Sequence, residues 1–168
     1  VGRTGALTPV AKLRAVHIAG TTVTHATLHN FDEIERLDLK VGDTVIVEKA
    51  GDIIPKIVQV LPGMRTGHEK KVSVPHKCPV CGSPVSRKLL GDEKGEKGAV
   101  LYCENKNCFA QELERINHFV SKHSSDIDHC GEKIVEQLVN AGLIEDAADL
   151  FTITVGDLED LDRFGEKS

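Results

Sequence analysis

The stretch Cys78-Pro79-Val80-Cys81-Gly82, answered further along by Cys103 and Cys108, decides how the rest of this sequence is read. The first pair has two residues between its cysteines, a spacer of 21 follows, and the second pair encloses four. Four thiolates in such paired knuckles can surround one Zn²⁺ tetrahedrally at ~2.3 Å. Gly82 relieves the turn after the first knuckle, and Pro79 stiffens its start. Each pair adds little core by itself, so the metal must close the spacer loop and supply folding free energy. Two disulfides, or four ordinary buried thiols, are the competing readings, and the spacing favours zinc. Closed Cys₄ coordination leaves no position for water, which makes such a zinc structural rather than catalytic. Cys130 lies outside the pattern and reads as a small buried residue, because no His and carboxylate constellation surrounds it.

Composition bounds the rest. An aromatic content of 4% over 168 residues is low for one large core and fits one to three small domains. No apolar run is long enough to span a bilayer, and no signal peptide is evident. The only methionine is Met64 and the chain starts abruptly in strand-like sequence. It therefore reads as a piece of a longer protein. Thiols paired for metal suit a reducing compartment, so a cytoplasmic location is expected.

The net charge of −5 argues against nucleic acid until its distribution is considered. Residues 113–168 hold five Lys/Arg against thirteen Asp/Glu, whereas 1–70 and 71–112 are slightly basic. Acidity is thus confined to the last third, and bulk charge offers no argument for or against DNA.

Taken in order, residues 1–75 read as mostly β, with runs at 10–18, 21–28, 44–47, 57–61 and 71–74 bounded by Gly, Asp or Pro. One short helix is expected over Glu33 to Leu37, capped by Asn30 or Asp32. Five strands and a helix in that length suggest a small Greek-key barrel of the OB type, with an SH3-like barrel or half a sandwich as alternatives. Lys49-Ala50-Gly51-Asp52-Ile53-Ile54-Pro55 puts two large apolar residues after a Gly-Asp turn and before a proline. Ile53 and Ile54 either turn inward to seed the next strand or stand at a loop tip, where apolar wedges can enter a DNA minor groove. Lys49 would then reach a phosphate. Arg3, between Gly2 and Thr4-Gly5, sits where the backbone can approach a phosphate, or in an ordinary solvated turn.

Residues 68–77 read as a hinge, and 88–98 as an exposed, mixed-charge hairpin tip that matches no phosphate-cradling loop. Val100 to Tyr102 form a strand into the second knuckle. From Ala110 the period becomes helical, with Leu113, Ile116, Phe119 and Val120 on one face as far as about Lys122. An internal echo follows. Ile127-Asp128-His129-Cys130-Gly131-Glu132-Lys133 resembles Leu161-Asp162-Arg163-Phe164-Gly165-Glu166-Lys167, 34 residues later. After the first copy an amphipathic helix through Ile134, Val135, Leu138 and Val139 stops at Ala141-Gly142. Tetratricopeptide landmarks are missing. Two helix-hairpin-helix units would place Gly131 and Gly165 at helix N-termini, where backbone N–H groups favour phosphate. A plain helical bundle with incidental similarity is the alternative.

The order of small barrel, four-cysteine module and helix-hairpin-helix segment resembles the C-terminal part of bacterial NAD-dependent DNA ligases. The matching strings are residues 1–13 (VGRTGALTPVAKL), Ala26-Thr27-Leu28-His29-Asn30, Gly42-Asp43-Thr44-Val45, 49–55 (KAGDIIP), the CPVCG knuckle and Gly131-Glu132-Lys133. The resemblance implies a multi-domain chain: an OB-fold domain over 1–70, a Cys₄ zinc finger over 71–112, and a helix-hairpin-helix domain over 113–168 that breaks off early in its second unit. It also implies that Cys78, Cys81, Cys103 and Cys108 hold Zn²⁺. Arg3 and Lys49 would touch DNA backbone, Ile53 and Ile54 would insert in the groove, and Gly131 and Gly165 would meet phosphate.

The intact family enzyme moves AMP from NAD⁺ to its own lysine, then to a 5′-phosphate at a nick, and seals the bond with Mg²⁺. The Lys-x-Asp-Gly motif that carries this lysine does not occur here. A chain of this kind is expected to be inactive alone, monomeric, and to complete a clamp round nicked duplex DNA. Three positions depart from the family: His129 and Arg163 stand where hairpin glycines are usual, and Cys130 stands where an apolar residue is usual. A side chain at His129 is strained if the turn needs positive φ. The competing class is a freestanding OB and zinc-ribbon module for single-stranded nucleic acid. It is disfavoured because Phe31 is the only aromatic residue in the barrel region, and single-strand platforms rely on stacking aromatics.

Overall fold

The computed structural model describes the chain except residues 19, 51–53, 90–96, 160, 162–163 and 165–168, with only the backbone described at 49, 50, 54 and 89. Two compact units are present: Ala6–Glu104, and Val1–Gly5 together with Asn105–Ser168.

The first unit is built from three sheets. β1 (Ala6–Leu7), β2 (Val10–Ile18) and β3 (Thr21–Thr27) precede helix α1 (Phe31–Arg36). β4 (Lys40–Val41), β5 (Val45–Ala50), β6 (Ile54–Val60) and β7 (Lys70–Lys71) follow. β8 (Val85–Leu89) and β9 (Lys97–Cys103) complete the set. The main sheet runs β2-β3-β6-β5, antiparallel except where β3 meets β6 in parallel at Thr27 and Lys56. Its core is Ala26, Leu28, Ile34, Leu39, Ile57 and Val60, each large member worth roughly 1.5–3 kcal/mol when buried. Along β3, Val23 and Ala26 are buried while Thr22, Thr24 and His25 are exposed; the three-residue step between the buried pair breaks strict alternation, and the β2–β3 register shifts between Lys12 and Val16.

Asn30 caps α1: in an extended conformation its Oδ1 accepts the Glu33 N–H at 2.9 Å, which settles the choice between Asn30 and Asp32. Asp32 and Glu33 then lie in the first turn, where the helix dipole favours negative charge. The strand expected over 71–74 is shorter than its alternating pattern implied. Only Lys70–Lys71 pair, with β4, and Val72 packs against the barrel core instead. A separate antiparallel hairpin, β8–β9, gains a third strand from β1 through Ala6 opposite Tyr102 and Leu7 opposite Leu101.

In the second unit the periodicity is realised as α2 (Phe109–Val120), α3 (Glu132–Asn140) and the short α4 (Val155–Leu158). Ile116, Val120, Val135, Leu138 and Ile144 form its core. Cys130 packs against this core half-buried, as expected of a small apolar residue, and burial pushes its thiol pKa up. Gly142 stops α3 with φ of 71°. No helix is long and apolar enough to cross a membrane, among the described residues.

Candidate metal centre and nucleic-acid interface

The first knuckle is a tight turn held by its own backbone. Cys78 N–H donates to the Ser83 carbonyl at 2.8 Å, Gly82 N–H to the Cys78 carbonyl at 3.0 Å, and Lys77 bridges Pro84. Gly82 has φ of 71°, a conformation that a residue with Cβ adopts at a cost. Its glycine is therefore explained by the backbone and not by crowding, since an added Cβ would meet nothing within 4 Å.

The second knuckle starts at the end of β9 and finishes as the N-cap of α2. Asn105 Oδ1 accepts the Asn107 N–H at 3.0 Å, and the Asn105 carbonyl accepts Cys108 N–H at 3.3 Å. The buried Gln111 amide locks the same carbonyl at 2.7 Å. Cys108 sits at the positive end of a 12-residue helix.

These turns bring the sulfurs of Cys78, Cys81, Cys103 and Cys108 within 4.8 Å of one another, with Cys81 and Cys103 at 3.5 Å. A tetrahedron with ~2.3 Å arms requires sulfurs about 3.8 Å apart, so the donor set fits a Zn²⁺-sized ion. Three of the cysteines are buried, at 3%, 7% and 0% exposure for Cys78, Cys103 and Cys108, and Cys81 is half-buried. Cys130 is not in the cluster. The four residues read from spacing are the four that the fold brings together.

The residues expected at DNA are distributed differently. Arg3 is exposed in the turn closed by Gly5 N–H on the Gly2 carbonyl at 2.8 Å. Lys49 and Ile54 lie on adjacent rungs of the β5–β6 ladder, where Lys49 faces Pro55 and Ala50 faces Ile54. Their side chains, together with Ile53, Arg163 and Gly165, fall outside the described residues. Gly131 is the exposed N-cap of α3, with φ of −81° and open space in front of it.

The unusual backbone is two residues earlier. His129 has φ of 58°, so the turn before α3 holds a residue with a side chain in the left-handed region. That side chain is solvent-exposed beside Asp128, with Nε2 3.4 Å from Oδ2.

Sequence reading missed Lys12 and Arg14. Both are exposed on β2, two residues apart and therefore on one face of the strand, and His25 faces Lys12 across the ladder. Their polar positions in an otherwise apolar alternation were the available signal. It also missed the pairing of Arg65, Arg87, Arg36 and Arg115 with carboxylates of the same chain, the last two as pairs three residues apart on a helix.

Comparison with known proteins places this geometry. Residues 1–69 match the family model described as the NAD-dependent DNA ligase OB-fold domain. Over its whole length the chain is 56% identical to a DNA ligase of Desulfosudis oleivorans and 48% identical to one of Pseudomonas paraeruginosa. A DNA ligase of Prosthecochloris aestuarii is 47% identical, also over the full chain. The chain spans 22–24% of the length of these curated relatives. In residues 1–69 the chain thus matches the OB-fold domain of the NAD-dependent DNA ligases, and over its whole length it is similar to these DNA ligases.

Proposed function

We propose that this chain serves as the DNA-encircling part of an NAD-dependent DNA ligase that seals nicks in duplex DNA during replication and repair. The observation that carries the reading is the OB-domain match over 1–69 followed directly by a pre-formed four-cysteine cluster. On this reading 1–70 form the OB-fold domain, 71–112 a zinc-finger module and 113–168 the start of a helix-hairpin-helix domain. Cys78, Cys81, Cys103 and Cys108 hold a structural Zn²⁺, which supplies charge neutralisation and cross-linking, not chemistry. The reactions with NAD⁺ and Mg²⁺ belong to parts of a larger ligase outside this chain, which is inactive alone.

DNA contact is electrostatic and shape-based. Arg3, Lys12, Arg14 and Lys49 meet backbone phosphates, Ile53 and Ile54 enter the minor groove, Gly131 offers the N-terminus of α3 to phosphate, and Gly165 is a second phosphate contact. His129 adds a side chain beside Gly131. The chain works as a monomer in the cytoplasm.

A binding comparison between nicked duplex and single strand of equal length tests the reading. Preference for the nicked duplex is expected, and tighter binding to the single strand replaces it with a single-strand binding module. Ile53→Ala with Ile54→Ala should weaken duplex binding while leaving the melting temperature nearly unchanged. A large melting loss with unaltered DNA affinity makes the pair core residues.

A further inference from the structure

We propose that Cys81 is a site of reversible two-electron oxidation by peroxide, resolved by Cys103, that unloads the metal from the four-cysteine cluster. The inference rests on the zinc reading above and concerns how that site is regulated.

The four thiolates are not equivalent. Cys78, Cys103 and Cys108 are buried, whereas Cys81, in the turn of the first knuckle, is half-exposed. Oxidation of cysteine follows thiolate character and access, and sensor cysteines stand beside a resolving thiol. Metal coordination keeps all four sulfurs as thiolates, so access decides which reacts first. Cys81 has the access, and its Sγ lies 3.5 Å from Cys103 Sγ. The remaining cysteine, Cys130, is half-buried like Cys81 but competes poorly, because it lies outside the metal cluster and burial pushes its thiol pKa up.

The chemistry balances with one peroxide. Cys81 Sγ attacks a peroxide oxygen, the O–O bond breaks, and hydroxide leaves to give a sulfenic acid. Cys103 Sγ then attacks Cys81 Sγ, the S–S bond forms, the S–O bond breaks and a second hydroxide leaves. Two thiolates have lost two electrons in total, and the peroxide has become two hydroxides. Only Cys78 and Cys108 remain as donors, too few for a closed tetrahedral site. A dithiol reductant reverses the disulfide and restores four thiolates.

The test uses the full chain, reduced and loaded with zinc, titrated with hydrogen peroxide in the presence of a chromogenic zinc chelator. Release of one zinc per peroxide consumed is expected, with peptide mapping giving Cys81–Cys103 as the first disulfide. Dithiothreitol plus zinc should return the metal to the protein. Cys81→His keeps a fourth ligand that cannot form the disulfide, and should slow release roughly tenfold or more. Should that variant fail to load zinc, the linkage mapped in the unaltered chain decides. Zinc retained after peroxide is consumed, or a first disulfide joining any other pair, overturns the proposal. A reduced chain that binds no zinc removes this proposal and the metal site with it, whereas zinc bound but not released leaves the metal site standing.

Discussion

Arg65 closes on Asp43 through two hydrogen bonds, Nε to Oδ1 at 2.7 Å and Nη2 to Oδ2 at 3.0 Å, and the Asp43 side chain is wholly shielded from solvent. The same carboxylate accepts the Lys40 N–H at 2.7 Å, and a further guanidinium nitrogen reaches Asp38. Arg65 thereby ties the segment after β6 to the turn between β4 and β5. Its planar fork matches a carboxylate as a lysine ammonium does not.

The clasp should govern acid stability. The Arg65 guanidinium, and for Asp43 also the Lys40 N–H, hold the Asp43 and Asp38 carboxyls below the ordinary value of 3.8. A carboxyl depressed on folding stabilises fully above its unfolded value, and that contribution disappears as pH falls through the folded one. Urea unfolding should therefore show stability declining below about pH 4. Asp43→Asn should flatten this decline and lower the melting temperature of the Ala6–Glu104 unit by several degrees at pH 7. An unchanged pH profile in that variant would remove the clasp as its cause.

A second pair, Arg87 on β8 with Asp32 on α1, bridges residues 55 apart in sequence. Asp32 is nearly half-exposed, so solvent screens the pair and a double-mutant cycle should return only about 0.2–1 kcal/mol. Arg87→Ala is expected to loosen the β8–β9 hairpin against α1, read as faster amide exchange there, more than it lowers global stability.

His129 offers a gain. Left-handed backbone costs a non-glycine residue ~1–2 kcal/mol, and glycine carries an unfolded-state cost of roughly 0.5–1 kcal/mol. His129→Gly should then stabilise the helical unit by about 0.5 kcal/mol, and His129→Val should destabilise it. Chemical denaturation of the two variants separates them by sign.

Tyr102 is the chain's single tyrosine, there is no tryptophan, and it lies on β9 next to Cys103 with Lys88 Nζ 4.1 Å from its ring centre. Its fluorescence should report the metal module directly. On the zinc site proposed above, chelation is expected to change Tyr102 emission and abolish the β8–β9 hairpin signal, and re-addition of one equivalent of Zn²⁺ should restore both.

For DNA, Arg14→Ala and Lys12→Ala should each weaken nicked-duplex binding about equally across sequences and reduce the salt slope by roughly 1. Variants that leave the slope untouched would exclude that face of β2 from the contact.

Much of the local structure was legible. The knuckles, the Asn30 cap and the helices through Ile116 and Val135 follow from spacing, capping chemistry and period, each contained within a few turns of chain. The strain at His129 was foreseeable from the demand for positive φ in such a turn. Pairings between distant segments were not. Nothing near Ala6–Leu7 signals that it adds to β9, nothing near Arg87 names Asp32, and Lys71 to Val74 alternate like a strand although only the first of them finds a partner. Such contacts are set by which surfaces meet in three dimensions, and one sequence with a period of two does not say what lies opposite. The same holds for Lys12 and Arg14, whose exposure depends on which face of β2 the core takes.

The borrowed strand β1 has a practical consequence for anyone dissecting this molecule. Because Ala6 and Leu7 line the outer rim of the hairpin sheet, a cut at residue 70 would leave the metal module with a naked β9 margin, Leu101 and Tyr102 foremost. A bare strand rim recruits other chains, so the excised module should clump unless it carries residues 6–7 with it or has that rim charged by mutation.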